Sequence, residues 1–369
     1  NLHVASYSTP FKGVVTEETL LEHLHVLDKH PSWIPYRTTY YSKTWGLCAS
    51  KDILSSDDFC EPFEVCIDSE FNEKGSLVYG EALKKGETDE EILISTYLCH
   101  PSLANDNLSG LVTACFLFNY LSNIETRYSY RLVIVPETIG AICFLSSANT
   151  DKIVGGTVIT CTGGPDKFSI KEGFDNSHWV NVASHLALSE FTNGDYITYP
   201  FVPDGSDERQ YSSPAFRIVT PSVHKSKYYE YEQYHTSADN LEFISNSALE
   251  LSLEFYKYWV SIIDSYCAPK RVQPACEYQL GKFNLYPPIG GTINQSAHNE
   301  NDKGFSQRVF NFNSEITVQG YHLEAFHWLM HLADGDNSNF DIALKSNLPL
   351  SVINEAIALF HQKGLVKLR

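Results

Sequence analysis

Four short segments of the 369-residue chain carry residue types able to do hydrolytic chemistry. They are Cys99-His100-Pro101-Ser102-Leu103-Ala104-Asn105-Asp106-Asn107-Leu108-Ser109-Gly110, Pro136-Glu137-Thr138-Ile139-Gly140, Gly205-Ser206-Asp207-Glu208-Arg209-Gln210-Tyr211 and Tyr234-His235-Thr236-Ser237-Ala238-Asp239-Asn240. Histidine and aspartate are ligands that suit zinc, and a carboxylate beside them can act as general base toward a metal-activated water. His100, Asp106 and His235, with Glu137 alongside, therefore describe a hydrolytic zinc site. Each residue also has a plainer role open to it. A lone histidine after a strand is commonly a surface or capping residue, Asp106 could cap a helix that follows it, and Glu137 could be a solvated strand end. The run from Ala104 to Gly110 is more specific than composition produces, and the other three segments follow it in order.

The elements that must position these segments can be read from hydrophobic periodicity. Residues 91–98, 131–135, 154–160 and 216–220 read as strands, and residues 108–121 as an amphipathic helix with apolar side chains at 108, 111, 112, 115 and 116. A long helix is predicted over 247–264. This alternation predicts a doubly wound α/β sheet, whose ligands bind beyond the carboxyl ends of its strands, where the four segments fall. Residues 1–90 are β-rich, with strands expected over 2–7, 63–67 and 75–79 and a helix over 16–27. A Pro- and Gly-bearing stretch, 276–291, and a polar tract, 294–304, read as a connection. Beyond them, from 306 onward, helices over 323–333, 341–346 and 351–362 and a strand over 365–368 follow the order of a winged helix.

Composition narrows the function classes. Hydrophobic residues make up 43%, charged residues 20% and aromatic residues 13%, which suits a globular chain with no membrane span. Lys plus Arg is 27 against 45 Asp plus Glu, a net charge of −18 that repels polyanions. The nine cysteines are scattered without a CxxC pair and suit buried thiols in a reducing, cytoplasmic compartment. No signal-peptide pattern opens the sequence.

Ala-Asn-Asp-Asn-Leu-Ser-Gly after a strand-end histidine resembles the metal-binding segment of the zinc aminopeptidases related to leucyl aminopeptidase, glutamate carboxypeptidase and glutaminyl cyclase. Along nearly its whole length the chain resembles a bacterial family of aminopeptidase-like proteins. That resemblance implies an inserted jelly-roll-like β domain over 1–90, a zinc-peptidase-like α/β domain over 91–290 and a winged-helix domain over 305–369. It also implies a further N-terminal segment ahead of the inserted domain. Carried over residue by residue, it makes His100 a ligand of one metal, Asp106 a bridging ligand, His235 a ligand of the second metal and Glu137 the general base.

Three departures stand out. Glu137-Thr138 replaces a Glu-Glu pair, Cys161 stands where an Asp ligand is expected, and His100-Pro101-Ser102 replaces His-x-Asp. With two of five ligand positions altered, the expected cofactor is one zinc, held by His100, Asp106 and His235. Cys161 is then an unusual ligand or a buried strand thiol. Asp207 and Glu208 suit a free α-amine and Arg209 a carboxylate, or the three brace their own loop as an ion-pair network. Asp239 is placed to orient a ligand by hydrogen bond.

The function expected is a zinc-dependent aminopeptidase or small-amide hydrolase acting on a peptide or small amide. The alternatives are acyl transfer of the glutaminyl cyclase kind, or a non-catalytic binding or scaffold protein on a degenerate peptidase fold. Neither nucleic acid nor membrane is an expected partner. Residues 351–360 of the C-terminal module hold no Lys or Arg and do hold Glu355, so the module is expected to pack on the α/β domain or contact protein rather than read DNA. A low-salt gel-shift titration with duplex DNA should accordingly show no complex, whereas micromolar binding with a steep salt slope would contradict this.

Overall fold

The computed structural model describes residues 2–40, 42–57, 59–286 and 318–368. The polar tract at 294–304, the end of the 276–291 stretch and the first residues of the C-terminal module lie outside them. The chain divides into two units, residues 1–174 with 195–253, and residues 175–194 with 254–369.

The first unit opens with short strands: β1 (Leu2–Val4), β2 (Phe11–Val15), β3 (Leu24–His25), β4 (Leu47–Ala49) and β5 (Phe63–Ile67). They form a three-stranded sheet in the order β1-β4-β3 and a separate β2-β5 ladder. Helix α1 (Glu17–His23) starts where Thr16 accepts a hydrogen bond from the Thr19 amide, and it buries Leu20 against Trp45, Leu47 and Val65.

A seven-stranded sheet follows, in the order β11-β10-β12-β9-β7-β8-β6. Its strands are β6 (Gly80–Lys84), β7 (Glu91–Tyr97), β8 (Ser129–Val135), β9 (Ile153–Ile159), β10 (Ser169–Lys171), β11 (Ile197–Tyr199) and β12 (Ser222–His224). β7 is an interior strand parallel to both β8 and β9, while β6 pairs antiparallel with β8 and β10 pairs antiparallel with β12. Every residue of β7 is buried, as expected of a parallel strand covered on both faces. Its Glu91 is kept there by Arg131 of β8, Nε to Oε2 at 2.6 Å. The chain leaves β7 through α2 (Gly110–Leu121) to β8 on one side, then passes through α3 (Ile139–Ser147) to β9 on the other. That reversal opens a crevice at the carboxyl ends of β7 and β9.

Gly110 is required there, because a Cβ at this position would lie 2.6 Å from the Ile159 carbonyl and 2.8 Å from Thr160 Cα. Helix α2 consequently starts two residues later than the periodicity predicts, and residues 104–109 form an irregular turn.

Other expectations also shift. The strand expected at 75–79 forms instead at Gly80–Lys84, as part of the large sheet. The strand expected at 216–220 is absent: Arg217 has φ 51°, Ile218 donates its amide back to the Tyr211 carbonyl, and the ladder begins only at Ser222, after Pro221. α5 (Glu208–Tyr211) is a single turn between β11 and β12.

The second unit holds α4 (Trp179–Thr192), the C-terminal half of α6 (Asn246–Asp264), α7 (His322–Leu332), α8 (Asn339–Ser346) and α9 (Leu350–Gln362). In α8, Ser338 and Asp341 exchange hydrogen bonds as a capping box. β13 (Lys270–Arg271) pairs antiparallel with β14 (Val366–Lys367). Glu355 of α9 is engaged by the buried His322, Nε2 to Oε2 at 2.9 Å. Among the described residues no helix is long and apolar enough to cross a membrane.

Within the first unit, Lys171 Nζ meets Glu208 Oε1 at 2.6 Å, each side chain only 2% exposed, and Tyr228 donates to the same oxygen at 2.7 Å. Removing one partner leaves an uncompensated buried charge. Lys171→Ala should therefore lower the unfolding free energy by about 3–5 kcal/mol in urea titration, and a loss below about 1 kcal/mol would show that the pair does not hold this loop.

Candidate functional site

Asp106 lies at the centre of the crevice, with a side chain 1% exposed. Its Oδ1 accepts from the Tyr97 hydroxyl at 2.5 Å, and Tyr97, the last residue of β7, also meets Thr160 Oγ1 at 2.7 Å just past β9. Its Oδ2 faces His235 Nε2 at 3.1 Å and His100 Nδ1 at 3.8 Å. The two asparagines beside it tie its backbone down. Asn107 donates to Thr96 Oγ1 and the Tyr97 carbonyl and accepts from the Cys161 amide, so it spans the ends of β7 and β9. Asn105 donates from Nδ2 to the Ser226 carbonyl and accepts at Oδ1 from the Gly163 amide. Behind them, Asp239 accepts the Asn105 amide at 2.6 Å, the Asp106 amide at 3.1 Å and the Tyr231 hydroxyl at 2.9 Å. These bonds leave the Asp106 carboxylate no role as a helix cap, since α2 begins four residues beyond it.

His100 and His235 arrive on the loops after β7 and β12. Tyr36 fixes both: its ring stands edge-on to each imidazole at 5.1 Å, and its amide donates to the His235 carbonyl at 2.7 Å. Tyr234 stacks on His235 at 3.9 Å. Burial lowers the pKa of His100 despite the opposing charge of Asp106, which keeps the ring neutral and able to ligate. For Asp106 burial alone would raise the pKa, but its hydrogen bonds to His235 and Tyr97 and the nearness of the two imidazoles bring it below the ordinary value. The Tyr97 hydroxyl is pushed far up by burial and by Asp106, so it stays a donor.

Glu137 follows β8, with Oε2 3.6 Å from His100 Nε2. Burial, with the charges of Asp106 and Asp207, raises its pKa well above that of an ordinary carboxyl. The next residue, Thr138, has φ 65°, a conformation costing of order 1–3 kcal/mol. Its amide donates to Asp207 Oδ1 at 2.6 Å and its hydroxyl accepts from Arg209 Nη2 at 2.9 Å.

Of the trio expected to hold charged substrate ends, only Arg209 lines the cavity at the site. Asp207 and Glu208 are buried, the first against the Thr138 backbone with its carboxyl pushed up to about 7 by burial, the second in its pair with Lys171. Neither is placed to meet an α-amine. Cys161 is fully buried, its thiol pushed far up by burial and by Asp106, with Sγ 4.0 Å from Asp106 Oδ1. Cys161 is not among the candidate ligands grouped at the site. Sequence reasoning overlooked Cys99, whose sulfur lies 3.4 Å from His100 Nδ1 and 4.0 Å from Glu137 Oε2.

The ligand atoms of His100, Asp106 and His235 all lie within 4.8 Å of one another, and those of Cys99, His100 and Glu137 do likewise. Tetrahedral zinc with bonds near 2.1 Å needs its ligands roughly 3.4 Å apart, which the 3.1 and 3.8 Å separations at Asp106 bracket. Two imidazoles and one carboxylate are also the donor types zinc prefers, so the first group fits that ion.

The mixed sheet with this site at its switch point is the aminopeptidase-like peptidase fold. The profile of the family described as "Domain of unknown function (DUF4910)" matches residues 12–266, and the chain belongs to that family. A Clostridium acetobutylicum protein named as a candidate polysaccharide biosynthesis protein with an aminopeptidase-like domain is 36% identical over 373 residues, covering 100% of this chain and 79% of that one. A crystal structure of a candidate peptidase from Clostridium acetobutylicum superposes with a TM-score of 0.81 at 34% identity, over 100% of this chain and 78% of that one. The zinc aminopeptidase BSAP of Bacillus subtilis shares the fold at 14% identity and a TM-score of 0.50, over 64% and 62% of the two chains.

Because Asp239 alone orients two successive amides at Asp106, Asp239→Asn should weaken zinc binding about 10- to 100-fold in competition with a chromophoric chelator. Unchanged affinity would remove Asp239 from the site's support.

Proposed function

We propose that this protein is a zinc-dependent hydrolase of N-terminal peptide bonds or small amides, with His100, Asp106 and His235 holding one zinc ion and Glu137 as general base. The observation that carries this reading is the convergence of three ligand atoms within 4.8 Å, with the Glu137 carboxylate 3.6 Å from the nearest imidazole and facing the same cavity. The chemistry zinc supplies when bound is polarisation of an amide carbonyl and acidification of water.

The remaining work falls to the chain. Glu137 Oε2 takes a proton from the attacking water and returns it to the leaving amine, a task suited to a carboxyl whose proton affinity burial raises above that of an ordinary carboxylate. Tyr97 and Asp239 hold Asp106 in place, and Tyr36 and Tyr234 fix the imidazole planes. The same fold in a zinc aminopeptidase, and the aminopeptidase-like domain named for the relative, support the reaction class.

On an amide substrate found by screening the zinc-loaded protein, Glu137→Gln should keep fold and zinc while lowering kcat about 10²- to 10⁴-fold. An unchanged kcat would exclude the role, and loss of zinc would make Glu137 a ligand instead.

A further inference from the structure

The cavity at the site has a volume of about 870 Å³ and a lining of unusual chemistry. Tyr7 and Tyr40 meet there with ring centroids 4.8 Å apart, and Tyr228, Tyr229 and Tyr234 make an edge-to-face run at 5.4 and 5.0 Å. Tyr229, Tyr7 and Tyr40 are 57%, 52% and 42% exposed, so these rings are presented to solvent rather than packed away. Short serine and threonine side chains of the segment 6–44 lie among them. Among the described lining residues there is no Ala, Val, Leu, Ile, Met or Phe. The apolar surface of the cavity is therefore supplied mainly by ring faces edged with hydroxyls. Amphipathic tyrosine rings and hydroxyls suit a ligand with apolar C–H faces and many hydroxyl groups.

Arg209 is the one lysine or arginine among the described lining residues. Its Nη2 donates to Thr138 Oγ1, one residue from Glu137, its Nε is buried, and although its charge acts on Asp207 no carboxylate lies within ion-pair distance of it among the described residues. A guanidinium offers five N–H donors in a fork that matches a carboxylate. Among the described side chains lining the cavity, Arg209 is therefore the one that offers a carboxylate a cationic partner away from the metal ligands.

We propose that the cavity takes a hydroxylated amide bearing a carboxylate, of the N-acylated amino-sugar-acid class, with Arg209 binding the carboxylate and the tyrosines packing on the sugar ring. This rests on the cavity being the substrate site of the proposed hydrolase.

The test is calorimetric titration of the zinc-loaded protein with N-acetylmuramic acid, with N-acetylglucosamine, which lacks the carboxylate, and with N-acetylleucine, which lacks the hydroxyls. N-acetylmuramic acid should bind at least about tenfold tighter than either. Arg209→Ala, or Arg209→Gln if the alanine variant does not fold, should weaken it about 10- to 100-fold and leave N-acetylglucosamine within about twofold. Binding of N-acetylleucine as tight as that of N-acetylmuramic acid, no binding of any of the three, or indifference to Arg209 would overturn the substrate class. Turnover is read separately: Arg209-dependent binding without cleavage counts against the hydrolase and leaves the ligand class standing, whereas cleavage indifferent to Arg209 counts against the ligand class alone.

Discussion

The structure around the site depends on keeping one carboxylate, that of Asp106, ionised where it is almost fully buried. A buried carboxylate without partners costs several kcal/mol, and that cost is met here by donors from separate parts of the chain. Tyr97 donates at one oxygen, His235 faces the other, and Asp239 holds the peptide amides on which the side chain is mounted. Each of these partners needs its own support. Tyr97 must end β7, Tyr231 must reach Asp239, and Asn107 must bridge β7 to Cys161, two residues past β9. The chain order of the sheet follows from the same demand, because only at the reversal between β7 and β9 do two strand ends open side by side for one loop to be held by both.

A second consequence is electrostatic. Burial and the charges of Asp106 and Asp207 raise the proton affinity of Glu137, while the Thr138 amide and the Arg209 guanidinium act the other way on Asp207. The pair Lys171–Glu208 lies behind the loop that carries Arg209, so its stability role and the cavity's charge pattern come from adjacent residues of one turn.

Much of this was legible in the sequence, for physical reasons. Buried parallel strands such as β7 and β8 are near-continuous apolar runs, and the segments after them carry the chemistry. α4 was invisible because His178, not Ser, Thr, Asp or Asn, stands at its N-cap, so the usual start signal is missing. α3 shows no amphipathic period because Ile139 and Ile142 stand on its exposed face as well as Phe144 and Leu145 on its buried one, directly after a strained residue. β6 alternates polar residues at a sheet edge and was grouped with the preceding β segment. At the site, ligand types at strand ends could be named, but their supports could not. Tyr36 lies 64 residues before His100, and no local pattern announces that its ring will meet both histidines. Asp207 and Glu208 illustrate the opposite error: acidic residues beside an arginine look like a substrate clamp until burial shows which carboxylate is already paired.

The central claim is that one metal ion is held by residues from the loops after β7 and β12. An anomalous-difference map of crystals grown with zinc, collected above and below the zinc edge, counts and places the metal directly. The account predicts one peak, bounded by His100, Asp106 and His235. Two peaks, a peak bounded by Cys99 and Glu137 without Asp106 and His235, or no peak at all would contradict it.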